Sequence, residues 1–327
     1  MPDNGIVYHY CSLEAFKSII ENKCLWLCDV QKSNDSEECL LFPSQIKEIA
    51  EETDFFADLT SWKKDSINLI LQNLQVCSGS KIQHRTTFAC CFSSLGDDLS
   101  QWRGYTPDAT GLCIGFRKNY FEELAKPEWD FLLFSNVNYG LDQLIAAAHT
   151  ELNHIRNTIN NLDDNLGLEH NDTQLELLKI VHSIWERAAL YKPSGFRAEN
   201  EIRLIFSAKT AISRTINNNT IISLDRISSA EMCREGNFDL SPLKYRISNG
   251  QLQGYHELSF NHIKDKIICK IVIGPKCQVT EEDICLFLSA NGFYHHRSPP
   301  DAHEHIIYTS PDEQDSLTVS RSELTYR

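Results

Sequence analysis

Hydrophobic positions along the chain form short alternating runs separated by stretches of helical spacing. Ile6-Val7-Tyr8-His9-Tyr10 predicts a first strand, and Ser12-Leu13-Glu14 caps a helix bearing Ala15, Phe16, Ile19 and Ile20 that stops near Asn22. Cys24 to Cys28 predicts a second strand. The polar loop after it holds the turn signal Asn34-Asp35 and puts Glu37 and Glu38 in the first turn of the next helix. Leu40 to Val76 has the spacing of two helices that cover a sheet, and it closes in the loop Cys77-Ser78-Gly79-Ser80. Thr87 to Phe92 then reads as an apolar strand, Ser93 to Asp98 as a polar loop, and Leu99 to Tyr105 as a short helix. Gly111 to Phe116 reads as a buried strand whose glycines mark a bulge or a close backbone approach.

Further along, Asn119 to Ala125 predicts a short helix and Phe131 to Tyr139 a strand. Leu141 to Tyr191 holds two amphipathic helices that deliver the chain to Lys192-Pro193. Strands follow at Thr220–Leu224, Gly254–Phe260 and Ile267–Ile273, the last stopped by Gly274-Pro275. A helix over Glu281–Asn291 is closed by Gly292, and His305–Tyr308 is the last strand expected. The tail from about residue 310 is polar and is expected to be loosely held. This succession predicts one α+β domain over 1–327, with helical insertions at about 40–76 and 141–191.

The densest stretch is Tyr191 to Phe206, YKPSGFRAENEIRLIF. Ile202, Leu204 and Phe206 recur at period two, which sends Glu199, Glu201 and Arg203 to the opposite face of a strand. The plain reading is a half-exposed strand with a solvated charged face. The alternative is a site onto which Tyr8-His9-Tyr10 and Ser93 to Tyr105 converge. A polar loop at a strand end, as at Ser93, is where ligands are commonly held.

Composition narrows the classes. A net charge of −14 argues against a protein that coats nucleic acid by bulk attraction, but leaves room for a local basic pocket for a phosphate-bearing small molecule. No apolar run approaches the roughly 20 residues of a spanning helix, and MPDNGIVYHY lacks the order of a secretion signal, so a soluble cytoplasmic protein is expected. The 12 cysteines are scattered without Cys-x-x-Cys pairs and read as reduced core thiols. A zinc site from Cys24, Cys28, His295, His296, His303 or His305 lacks the tight spacing of tetrahedral sites, and no metal is expected.

No Gly-x-Gly-x-x-Gly follows a strand, and neither Gly-Lys-Ser nor Gly-x-Ser-x-Gly occurs. An acidic pair with aromatics and hydroxyls suits glycosidic chemistry, in which a carboxylate stabilises an oxocarbenium-like sugar while rings stack on the departing base. Each residue also has a structural reading. Trp102 and Tyr105 are core aromatics on that view, His9 is a satisfied half-buried histidine, and Arg203 is the scaffold partner of Glu201 or Glu199.

The order of these motifs resembles a bacterial domain family catalogued as domain of unknown function twenty-nine seventy-one. The resemblance rests on Tyr8-His9-Tyr10, Asn34-Asp35-Ser36-Glu37, Ser93-Ser94-Leu95, Gln101-Trp102-Arg103-Gly104-Tyr105, Gly111 to Phe116, Lys192 with Glu199-x-Glu201-x-Arg203, and Ile271-Val272-Ile273-Gly274. That family is similar to a distant branch of the ADP-ribosyltransferase superfamily, which implies a split antiparallel sheet and NAD as substrate. On that resemblance His9 holds the adenosine-side ribose, with Tyr8 and Tyr10 beside it. Ser93 or Tyr105 takes the middle position, with the aromatic stacking on nicotinamide, and Gln101, Trp102 and Arg203 are further cofactor-binding residues. Glu201 accepts from the nicotinamide ribose 2′-hydroxyl, and Glu199 orients the acceptor. The middle motif departs from a clean Ser-Thr-Ser. The resemblance implies a defence effector or toxin that acts on a protein or nucleic-acid acceptor, with a neutralising protein as a possible partner. A non-catalytic nucleotide- or partner-binding module and a carboxylate-based nuclease or glycosidase are the other classes.

Overall fold

A computed structural model describes residues 5–32, 39–75, 87–125, 132–165, 167–207, 211–216, 219–224, 238–248, 250–293, 305–308 and 316–326. Strand β1 (Ile6–Cys11) leads into α1 (Leu13–Asn22), whose first turn is held by the Ser12 hydroxyl accepting from the Ala15 amide at 3.2 Å. Next come β2 (Cys24–Asp29), α2 (Leu41–Glu52), α3 (Ser61–Gln75), β3 (Thr87–Ser93), α4 (Leu99–Tyr105), β4 (Leu112–Arg117) and α5 (Lys118–Leu124). The middle of the chain forms β5 (Leu132–Asn136), β6 (Asn138–Tyr139), α6 (Leu141–Asn160), α7 (Asn171–Ala188), β7 (Tyr191–Lys192) and β8 (Glu201–Ser207). Then follow β9 (Ala211–Ile216), β10 (Asn219–Leu224), β11 (Asp239–Leu240), β12 (Lys244–Ser248), β13 (Gln251–Ser259) and β14 (Ile268–Ile273). Helix Glu281–Ala290, β15 (His305–Tyr308) and β16 (Ser316–Arg321) complete the order. The expected turn at Asn34-Asp35, the helix start at Glu37 and Glu38, the loop Cys77–Ser80, and His295, His296 and His303 lie outside the described residues.

The α+β expectation with a largely antiparallel sheet holds. Among the described residues 12 strands share one sheet, in which β14 and β16 form the parallel pair. The sheet forks at β3. One edge of β3 pairs along its length with β8, from Thr87 opposite Ser207 to Ser93 opposite Glu201. Its other edge is shared: β2 takes Phe88 and Ala89, and β1 takes Ser93.

Alternation along β8 divides the molecule into layers. Ile202, Leu204 and Phe206 enter a core with Phe88, Cys90 and Phe92, beneath α1, α5 and helix Glu281–Ala290. Ile205 and Ala89 face the other way, into a second core built by α2, α3, α6 and α7. The two predicted helical regions thus form a single layer over one face of the sheet. A third cluster packs Tyr8, Tyr10 and Trp102 against Cys113 and Val272.

Two expectations are corrected here. The charged face of the Glu201 strand is not solvated: Glu201 is 4% and Arg203 2% exposed, because the helical layer and the turn before β8 close over them. The described part of the chain beyond residue 310, residues 316–326, is not a loose tail either. Leu317 and Val319 of β16 are fully buried, and Ser322 donates to Asp97 Oδ1 at 2.7 Å. Two apolar residues at period two are enough to seat β16 in the sheet, where it pairs with β14 on one side and β15 on the other.

Candidate functional site

The turn Ser194–Glu199 is a 3-10 helix, and Asn200 after it is left-handed, with φ 44°. Asparagine tolerates that region better than most residues because its short side chain can hydrogen-bond locally. The strand pattern therefore begins at Glu201. Glu199 sits in the turn rather than on the strand, which corrects the single-face reading of Glu199, Glu201 and Arg203. Three groups hold the corner. The Ser93 hydroxyl and the Gln101 amide donate to the Glu199 carbonyl at 2.9 and 2.8 Å, and the Ser94 amide donates to the Asn200 carbonyl at 3.0 Å. Ser93 and Gln101, both buried, are positioning groups for this turn.

The side chains at the corner form one charged network. Arg203 grips Glu201 in a fork, Nε to Oε1 at 2.8 Å and Nη2 to Oε2 at 3.0 Å, while its Nη1 donates to the Ala189 carbonyl at 2.5 Å. Lys192 Nζ lies 2.8 Å from an oxygen of Glu201 and 2.8 Å from one of Glu199. Tyr105 donates to the other Glu199 oxygen at 2.9 Å. Lys192 reaches this point because β7 pairs with β6, Tyr139 beside Lys192, and the Tyr139 hydroxyl accepts from the Glu201 amide at 2.9 Å.

Burial alone would raise the Glu201 carboxyl, but Arg203 and then Lys192 outweigh it and hold it at about 2. Glu201 is therefore an anion at neutral pH. Burial, reinforced by the charges of Glu201 and Glu199, pushes the Tyr105 phenol well above its ordinary value, so it stays a donor.

This network floors a cleft of about 410 Å³. Tyr105 and Phe196 form its rim, and Lys32, Arg246 and Gln253 line the wall opposite. A roomier depression of about 590 Å³ lies between α2 and α3, lined by Lys47, Glu51 and Lys64 among others. No buried ionic network converges there, so the cleft at Glu201 is the candidate site.

The other predicted site residues fall elsewhere. Tyr8 pairs with Ser93 across β1 and β3, so His9 points with Phe92 to the opposite face, its ring 6.0 Å from that of Phe92. His9 and Glu201 therefore do not line one slot. At the fork, His9 Nδ1 bonds the Cys91 carbonyl at 2.9 Å, and since a carbonyl only accepts, Nδ1 carries the hydrogen. Burial lowers the His9 pKa, which keeps the ring neutral. Tyr10 donates to the Leu95 carbonyl at 2.7 Å and accepts from the Asp98 amide at 3.0 Å. Trp102 is fully buried edge-on to Tyr10, its indole donating to Asp97 at 2.7 Å. The Tyr8 ring lies over Gly96, where a Cβ would come within 2.4 Å of it. These aromatics fasten the Ser93 loop and α4, while Tyr105, 41% exposed, is the one predicted aromatic of this group that reaches the cleft, where it joins Phe196.

Sequence reasoning missed Lys192 as a site residue, and Lys32, Tyr139 and Arg246 altogether. Lys192 ends β7 and Glu199 ends the turn after it, with Pro193 between, so no single regular element relates the two, and Arg246 joins the cleft only through the pairing of β12 with β13. Among the described residues no group of three or more His, Cys, Asp or Glu is placed to hold a metal ion, and no helix is long and apolar enough to cross a membrane.

The molecule is thus a mixed α+β protein with a forked, largely antiparallel sheet and a buried ionic network at the floor of a cleft. Residues 101–204 match the family described as protein of unknown function (DUF2971), so the resemblance read from the motifs holds over that stretch. The matched range contains Gln101, Tyr105, Lys192, Glu199, Glu201 and Arg203, while Tyr8, His9, Tyr10 and Ser93 precede it. Comparison with curated proteins and with solved structures returned no match.

Proposed function

We propose that the protein is an NAD-consuming enzyme of the ADP-ribosyltransferase type, with Glu201 as its catalytic carboxylate. The observation that carries this reading is an ionised glutamate, pinned at the first position of a strand, on the floor of a cleft whose rim offers two aromatic rings. In that reaction the bond from ribose C1′ to the nicotinamide nitrogen breaks, and nicotinamide leaves neutral with the bonding pair. The positive charge left on the sugar is stabilised by the fixed carboxylate. A nucleophile, water or an acceptor hydroxyl, amine or base, then bonds to C1′ and gives up its proton. On this reading Glu199, which accepts from Tyr105 at the cleft, meets that acceptor. Such an activity suits a defence effector or toxin acting on a protein or nucleic-acid target and restrained by a neutralising protein.

The test is nicotinamide release from NAD by the purified protein, alone and with cell extract. Release that disappears in Glu201→Gln, with the circular-dichroism spectrum unchanged, supports the reading. No release from the wild type under either condition refutes it.

One observation favours a second reading, a nucleotide-binding module without turnover. Every carboxylate oxygen of Glu199 and Glu201 already has a partner among Tyr105, Lys192 and Arg203, so a ribose must displace one of them. That reading expects ligand-dependent thermal stabilisation with no product.

A further inference from the structure

The wall opposite Glu201 carries positive charge that the floor network does not neutralise. Arg246 on β12 donates from Nε and Nη2 to the Gln253 Oε1 at 3.0 and 2.8 Å, with Nη2 also 3.6 Å from Cys28 Sγ. Its guanidinium lies 5.0 Å from the Trp26 ring centroid. Lys32 Nζ donates to Gln251 Oε1 at 3.1 Å. Gln251 and Gln253 stand two apart on β13 and so face the same way, presenting two amide oxygens to two cations.

An amide oxygen aims a cation without cancelling its charge, whereas a carboxylate does both. The contrast stands on the same hairpin, where Lys244 pairs with Glu257 at 2.6 Å. Among the described residues neither Lys32 nor Arg246 is hydrogen-bonded to or ion-paired with a carboxylate, and Asp29, which also lines the cleft, is not without a partner. On a chain of net charge −14, two aimed and unneutralised cations on one wall of a cleft make an anion receptor. The planar fork of Arg246, already oriented, suits the oxygens of a phosphate.

We infer that Lys32 and Arg246 form a phosphate-binding subsite that takes the diphosphate of a nucleotide, with its sugar end directed to Glu201. The diphosphate part stands on the two cations, and the direction of the sugar end rests on the NAD reading.

The experiment is calorimetric titration with ADP and with adenosine. Wild type binds ADP more tightly than adenosine, and inorganic pyrophosphate competes. Arg246→Gln and Lys32→Gln each weaken ADP binding by about tenfold and leave adenosine binding unchanged. Lys17→Gln, on the exposed side of α1, changes neither. The subsite is overturned if wild type binds ADP no better than adenosine, or if both cleft variants bind ADP like wild type. The two readings separate cleanly. ADP binding that depends on Arg246 without any nicotinamide release sinks the NAD reading alone, and release that is indifferent to both substitutions sinks the subsite alone.

Discussion

Glu201 and Lys192 meet at 2.8 Å in the buried floor of the cleft, and the same ammonium bridges to Glu199 at 2.8 Å. Two carboxylates two residues apart are thus held together by one cation that arrives from a separate two-residue strand. Removing that cation leaves like charges facing each other in a place that water cannot easily reach. Lys192→Met is expected to cost ~3–5 kcal/mol in urea unfolding. Lys192→Arg, which keeps the charge, should recover most of the loss, and equal destabilisation by both would show that packing rather than charge matters at this position.

Stability should fall on the acid side in two stages. The His9 ring has a lowered pKa in the folded protein against an ordinary value of 6.5, so below that pH the unfolded chain binds more protons and stability drops. Glu201 follows at lower pH. Its carboxyl sits at about 2 when folded against 4.5 ordinarily, a contribution of order 3 kcal/mol that is complete above pH 4.5 and lost as pH falls towards 2. Denaturant midpoints measured from pH 8 down to pH 3 check this. In Glu201→Gln the second stage should shrink and the first remain, the remainder of the second coming from Glu14, Asp108, Asp164 and Asp283, whose carboxyls are also lowered by their hydrogen bonds.

His9 satisfies a carbonyl at the sheet fork rather than touching the cleft. His9→Ala should cost ~1–3 kcal/mol, because the Cys91 carbonyl loses its partner, with ADP affinity unchanged. A stable His9→Ala protein that no longer binds nucleotide would place His9 in the site instead.

The last strand is part of the core. Leu317→Ala should cost ~2–5 kcal/mol, and truncation before Ser316 should abolish cooperative unfolding. A truncated chain with wild-type melting behaviour would mean that β16 contributes nothing.

Asn200 provides a backbone test. At φ 44° a β-branched residue is strained, so Asn200→Val should destabilise by ~1–2 kcal/mol while Asn200→Gly stays near neutral. Because this turn presents both glutamates, the valine variant should also weaken whatever ligand the cleft binds.

Much of the secondary structure was legible in the chain itself, because alternation and helical spacing are local. Ile202, Leu204 and Phe206 announced the buried face of β8, Ser12 announced the start of α1, and Glu201 and Arg203 stood out by chemistry. What lay on the far side of that strand was not local. Whether Glu201 is solvated or sealed depends on α6 and α7 folding back, and whether His9 joins it depends on one residue of register between β1 and β3, since a strand turns each neighbour to the opposite face. Lys192, Lys32 and Arg246 reach the cleft from positions without any sequence spacing in common. Side-chain alternation is a property of neighbouring residues, but the meeting of charges across a cleft is a property of which strands pair, and only the folded chain decides that.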